Sequence, residues 1–202
     1  MTSKGDAMPN DLSPVSMTPD VAPEITDRIA DGEVVVVTGV SGGPFMLAAA
    51  ETVTSEVVNL MATHARGLVG IALRASRADA LGLEPQPRRG WKSGPDYTLS
   101  IEAAQGTTTG ISAEERAITI RAAVFGGAAD IVTPGHIFPQ VCDGRGTGAG
   151  DCALRLVETA GRAPVAVICT MLDASGNVAG SAAARALADR LGLGCTDAGG
   201  GE

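Results

Sequence analysis

Glu33-Val34-Val35-Val36-Val37 runs straight into Thr38-Gly39-Val40-Ser41-Gly42-Gly43-Pro44. Four consecutive valines have no polar alternation, so this strand is buried on both faces. The Gly-, Ser- and Pro-rich segment after it is a loop. Pro164-Val165-Ala166-Val167-Ile168-Cys169 repeats the pattern and gives a second buried strand. Leu68–Leu73 reads as a third. Phe45–Ala50 is strand or buried turn. Tyr97–Ala103 alternates as a half-exposed strand. Asp130–Val132 makes a short strand ending before Pro134.

Helices are expected over Ala22–Ala30, Ser55–Ala65, Ala113–Val124, Asp151–Ala160 and Ser181–Leu191. Residues 74–96, with three prolines and several glycines, read as loop. Strands and helices mix without strict alternation, which argues one α+β domain: a mixed sheet with flanking helices. Residues 1–20 read as a disordered tail, 21–195 as the domain and 196–202 as a C-terminal tail.

The whole chain has 202 residues, 45% of them hydrophobic, and a formal net charge of −8. That is enough for a core and excludes a mainly disordered chain. The acidic balance and 2% aromatic content argue against a nucleic-acid partner. No apolar run is long enough for a membrane span. No apolar leader is visible at the N-terminus. The four cysteines form no C-x-x-C pair, so a reduced, cytoplasmic protein is expected.

Three stretches could carry chemistry. In Thr107-Thr108-Thr109-Gly110-Ile111-Ser112-Ala113-Glu114-Glu115-Arg116, Ser112 and Glu115 form a capping box. Threonine hydroxyls, unpaired helix N–H groups and Arg116 there could hold a phosphate; an ordinary capped helix needs the same residues. In Thr133-Pro134-Gly135-His136-Ile137-Phe138-Pro139 a rigid turn places one histidine. His64, on a helix, reads as structural. Asp143-Gly144-Arg145-Gly146-Thr147-Gly148-Ala149-Gly150-Asp151 is either an anion nest or a flexible loop capped by Asp151.

Taken together, Thr108–Ser112 with Arg116, then Pro134-Gly135-His136 with Phe138-Pro139, resemble the 3,4-dihydroxy-2-butanone 4-phosphate synthase family of riboflavin biosynthesis, over roughly residues 25–193. The resemblance implies a magnesium-dependent conversion of ribulose 5-phosphate to a butanone phosphate and formate, in a homodimer with sites at its interface. It implies a metal-binding Glu in an acidic loop after the first strand. It also implies a metal-binding His in a Gly-His-Thr-Glu stretch and a proton-transferring Glu after the Val-Ile-Cys strand. Here those places hold Thr38–Pro44 without a carboxylate, Gly148-Ala149-Gly150-Asp151, and Thr170.

The expectation is therefore a divergent member that uses no cofactor, because the magnesium ligands are absent. It would be an enzyme repurposed for a sugar phosphate or a related small anionic metabolite, as specialised metabolism would use. A catalytically inert homologue, binding ligand or completing an active paralogue, is the alternative. The substrate-binding set is Thr108, Thr109, Ser112, Arg116, His136 and Arg145, with His136 and Asp151 as catalytic acid/base. Cys142 and Cys152 are candidate nucleophiles or plain core thiols. The expected partners are a phosphorylated or anionic metabolite and a second copy in a homodimer, or a paralogue in a heterodimer.

Overall fold

The computed structural model describes residues 22–90 and 94–199. The expected N-terminal tail lies outside the described residues. In chain order the elements are α1 (Pro23–Ala30), β1 (Val35–Thr38), β2 (Phe45–Ala49), α2 (Ser55–His64), β3 (Arg66–Leu73) and α3 (Ala75–Ala80). They continue with β4 (Asp96–Tyr97), β5 (Ile101–Ala103), α4 (Ala113–Phe125), β6 (Ile131–Val141), α5 (Ala149–Thr159), β7 (Val165–Met171), α6 (Ser181–Leu191) and β8 (Gly194–Asp197).

One mixed sheet orders its strands β4-β6-β3-β7-β2-β1-β8, with β5 paired to β6 beside that path. β3 runs parallel to β6 and β1 parallel to β8, while β7 is antiparallel to both β2 and β3. This is the α+β mixed sheet that the pattern of strands and helices implies.

The β-branched runs sit where both faces are covered. Val35, Val36 and Val37 are all fully buried, because α6 packs near one face of β1 and α1 near the other. On one face of the sheet, α2, α4 and α6 close a core around Met61, Ile71, Ile120 and Val167. On the other, α1 and α5 close a second core around Ile29, Phe45, Leu47 and Leu154. Alternate residues of β3 and β7 divide between the two cores, as the period-two geometry of a strand requires.

The structure departs from the sequence reading in four places. β6 has eleven residues rather than three and runs through both Pro134 and Pro139. Prolines are tolerated because residues 133–136 form a bulge: Ile101 pairs with Ile137, and the next residue, Glu102, pairs with Val132. Pro139 lies opposite Ile71 in the parallel ladder and uses only its carbonyl, which accepts from Thr98 N at 3.0 Å. The alternating stretch 97–103 breaks into β4 and β5. A short helix, α3, interrupts the segment read as loop. Finally, β8 reaches Asp197, two residues into the expected C-terminal tail, because β1 leaves an edge that it pairs in parallel.

Candidate functional site

The β6 bulge is what aims His136. A Cβ on Gly135 would fall 2.1 Å from the Ile101 carbonyl oxygen, so only glycine lets the bulge lie this close to β5. Gly135 N donates to Ser100 Oγ at 3.2 Å. The ring of His136 then meets a carboxylate: Nδ1 lies 3.0 Å from Glu102 Oε2. The Glu102 side chain is 11% exposed and that of His136 is 45% exposed. The carboxylate is thus sheltered and the far edge of the ring faces solvent.

α4 anchors the carboxylate from behind. Thr119, fully buried, donates its hydroxyl to Glu102 Oε1 at 2.7 Å and accepts from Ala103 N at 3.0 Å. Gly110, at φ +73, backs onto the same carboxylate, with its missing Cβ position 1.8 Å from Oε2. The three-residue chain Thr119–Glu102–His136, with Gly110 beside it, is therefore one packed unit. Sequence reasoning named His136 but missed Glu102, which the alternating pattern assigns to an exposed face. It is 8% exposed.

The helix start before α4 is occupied by its own carboxylate. Ser112 Oγ accepts from Glu115 N at 3.1 Å, closing the expected cap. Glu115 in turn accepts from Thr108 Oγ1 at 2.7 Å, Thr109 Oγ1 at 3.3 Å and Ser112 Oγ at 3.1 Å. The hydroxyls read as anion donors are thus gathered, but around Glu115. The Thr108 hydroxyl and N–H, more than Ser112, draw the Glu115 carboxyl down to about 2.

A folded value below the ordinary 4.5 means that this network stabilises the fold fully above about pH 4.5. The contribution is lost as pH falls toward 2. A carbonyl-detected NMR titration is expected to show Glu115 ionised well below pH 4, and Thr108→Val is expected to move its midpoint upward. An unchanged midpoint in that variant would contradict the network.

Arg116 completes this side. Its Nε is buried without a hydrogen-bond partner, and its charge lies close enough to Cys169 to act on that thiol. Arg145 and Asp151 lie elsewhere. They belong to the loop and first turn of α5, which packs on the opposite face of the sheet from α4. The structure therefore brings Thr108, Thr109 and Ser112 together near the His136 unit, and does not bring Arg145 or Asp151 to it within one chain. Burial, then Asp151 and Asp143, push the Cys142 thiol up to about 12. Burial also raises Cys152. Both are core thiols rather than nucleophiles.

The loop after β1 does reach α5. Ser41 N donates to Thr147 O at 3.1 Å, and Ser41 bridges Gly148. Thr170 pairs with Phe45 at the end of the same loop. The three segments that the resemblance assigns to metal and proton transfer thus adjoin here, with Ser41, Ala149 and Thr170 in them. Thr38, at the head of the loop, donates to Asp197 Oδ2 at 2.9 Å. Among the described residues, no group of three or more His, Cys, Asp or Glu side chains is placed to hold a metal.

Comparison with known proteins gives a consistent answer. Residues 23–198 match the family model described as 3,4-dihydroxy-2-butanone 4-phosphate synthase. A protein of that name from Pseudomonas aeruginosa is 44% identical over 141 residues, which cover 66% of this chain and 39% of the relative. One from Agrobacterium fabrum is 37% identical over 155 residues, 73% of each. The chain spans less than half the length of the Pseudomonas relative and of a Neisseria meningitidis one.

Among solved structures, a 3,4-dihydroxy-2-butanone 4-phosphate synthase in complex with two magnesium ions superposes with a TM-score of 0.82. It is 29% identical, covering 89% of this chain and 93% of that one. A two-domain synthase from A. baumannii matches with the same TM-score at 33% identity, covering 87% of this chain and 55% of that one.

These findings correct two expectations. Relatives named for the synthase at 36–44% identity overturn the reading of a repurposed enzyme or an inert homologue. The magnesium complex of a close structural neighbour overturns the expectation of no cofactor. The side chains at Ser41, Ala149 and Thr170 offer no carboxylate or imidazole and do not fit the ion. By a family match over most of its length and by its fold, the chain belongs to the 3,4-dihydroxy-2-butanone 4-phosphate synthase family.

Proposed function

We propose that this chain acts on a phosphorylated pentulose, ribulose 5-phosphate, in the reaction for which its family is named. Five carbons leave as a four-carbon butanone phosphate and one formate, so no further reactant is needed. The observation that carries the reading is the carboxylate-backed histidine: Glu102 Oε2 at 3.0 Å from His136 Nδ1. A proton on Nδ1 donated to Glu102 leaves Nε2 as an acceptor at the exposed edge of the ring. That is the arrangement needed to take a proton next to a ketose carbonyl and return it later. Thr119 keeps Glu102 in place.

Phosphate recognition falls to Arg116, whose buried Nε has no partner, while the Thr108, Thr109 and Ser112 hydroxyls are taken up by Glu115. Arg145, exposed on its loop, and Asp151 would serve the same reaction only from a second chain. A homodimer is part of the proposal. Ile111 and Val132 are 57% and 48% exposed. They flank the Glu102–His136 pair, since Ile111 follows Gly110 and Val132 pairs with Glu102. Apolar side chains left open beside a polar site support a covering subunit. No helix among the described residues is long and apolar enough to cross a membrane, and a cytoplasmic enzyme of riboflavin biosynthesis accords with that.

The test is direct. Purified chain with ribulose 5-phosphate and magnesium is expected to release formate and the butanone phosphate in equal amounts, followed by 13C NMR. Consumption without formate, or no turnover at all, would overturn the reading.

A further inference from the structure

His136 hangs from a part of β6 that has no ladder to hold it. On one edge, β5 pairs Ile101 with Ile137 and then Glu102 with Val132, so residues 133–136 have no partner across that edge. On the other edge, β6 joins β3 only from Phe138 onward. The backbone groups of the bulge must therefore bond outside the sheet, because a half-buried amide left unpaired is costly.

The need is sharpest at Gly135. Pro134 before it has a fixed φ and no N–H to donate. Gly135 has no side chain to wedge it, and its backbone is the least restricted of any residue. It lies over the Ile101–Glu102 peptide: a Cβ there would meet Ile101 O at 2.1 Å and Glu102 N at 2.5 Å. That close approach sets how deep Gly135 sits and leaves the rotation of the Pro134–Gly135 peptide plane open. The bond from Gly135 N to Ser100 Oγ, at 3.2 Å, closes that freedom.

Ser100 is itself well held. Leu99 N donates to Glu84 O at 2.9 Å on one side of it. Ile101, fully buried, enters β5 on the other. The hydroxyl is thus an acceptor presented from an anchored backbone.

We propose that Ser100 is a positioning residue for His136: its hydroxyl oxygen sets the Pro134–Gly135 peptide plane and, through it, the direction in which the exposed Nε2 edge of the imidazole points. It acts through Gly135. The proposal rests on the reading of His136 as the proton-transferring group. The ring then has two separate holds. Glu102 at Nδ1 sets its tautomer, and Ser100 fixes the backbone that carries it. Loss of the second lets Nε2 wander, and a displacement of about 1 Å can cost about 10²-fold in rate.

The experiment compares Ser100→Ala, Ser100→Thr and Thr98→Val in the full chain. Long-range 1H–15N correlation reads the two ring nitrogens of His136 at a pH where the ring is neutral. The chain has two histidines, and His64→Gln identifies the His136 pair. In the parent the two nitrogens should be well separated, with the proton held on Nδ1. In Ser100→Ala they should draw together as the Glu102 contact loosens and the tautomers exchange. Ser100→Thr keeps the acceptor and should restore the separation. Thr98 Oγ1 donates to Leu99 O at 2.9 Å, so Thr98→Val removes a nearby hydroxyl that does not touch the bulge, and the ring nitrogens should stay as in the parent. In formate release, Ser100→Ala should lower kcat by about tenfold or more with little change in the Michaelis constant, and Ser100→Thr should recover it. Unmoved ring nitrogens in Ser100→Ala, the same shift in Thr98→Val, no restoration by Ser100→Thr, or full turnover by Ser100→Ala would each overturn the proposal. The ring measurement needs no substrate, so its failure and a failure of the parent chain to release formate are distinct results.

Discussion

Gly110→Ala is expected to cost about 3 kcal/mol or more of folding stability, several times the effect of an ordinary surface change. Two penalties add. The residue sits at φ +73, where a side chain costs about 1–2 kcal/mol. Its new Cβ would also fall 1.8 Å from Glu102 Oε2, and a buried carboxylate bonded to both Thr119 and His136 cannot simply swing away. For a chain of this size the melting temperature should fall by roughly 6–12 °C. Thermal unfolding followed by circular dichroism checks this. Stability within about 0.5 kcal/mol of the parent would mean that the packed unit around Glu102 is loose.

Glu102→Gln is expected to lower turnover by about 10²-fold or more, with a much smaller effect on stability. The amide keeps the size of the carboxylate and can still accept from Thr119. Its NH2, however, would donate to His136 Nδ1 and drive the ring proton to Nε2, the edge that must accept one. His136→Ala should cost at least as much. The measurement is steady-state formate release with its pH profile. If Glu102→Gln kept full turnover, or changed only the Michaelis constant, the pair would be a structural contact and the proton transfer would belong to another group.

The parts of the fold that could be read from sequence are those governed by burial. Val34–Val37 and Val165–Cys169 have no polar alternation, and they form strands covered on both faces. Ser112 and Glu115 announced a cap, and the cap is there at 3.1 Å. What escaped depended on partners distant in sequence. Pro134 and Pro139 look like strand breakers until β5 and β3 show which backbone groups are needed at each position. β8 is short and polar, and only the open edge of β1 makes it a strand. Glu102 follows Ile101 in an alternating run, so it reads as solvent-facing; Thr119, His136 and Gly110 enclose it from elements that local pattern cannot bring together.

The same limit applied to the binding residues. Thr108, Thr109 and Ser112 have the composition of an anion cradle, and the reach of the Glu115 side chain decides where their hydroxyls point. Glu115 is long enough to reach all three. Arg145 and Asp151 are only nine and fifteen residues from His136 in sequence, but β6 and its loop carry them to the other layer.

That layering has a thermodynamic consequence. The His136–Glu102–Thr119 unit belongs to the α4 layer and the Asp143–Asp151 loop to the α5 layer, with a tightly packed sheet between them and no shared side chain. Free-energy changes made on the two faces should therefore sum, with an interaction energy near zero in a double-mutant cycle. The central strands act as an insulator. Within one chain each face can be altered without the other registering it, so the histidine bulge keeps its geometry when the loop before α5 varies.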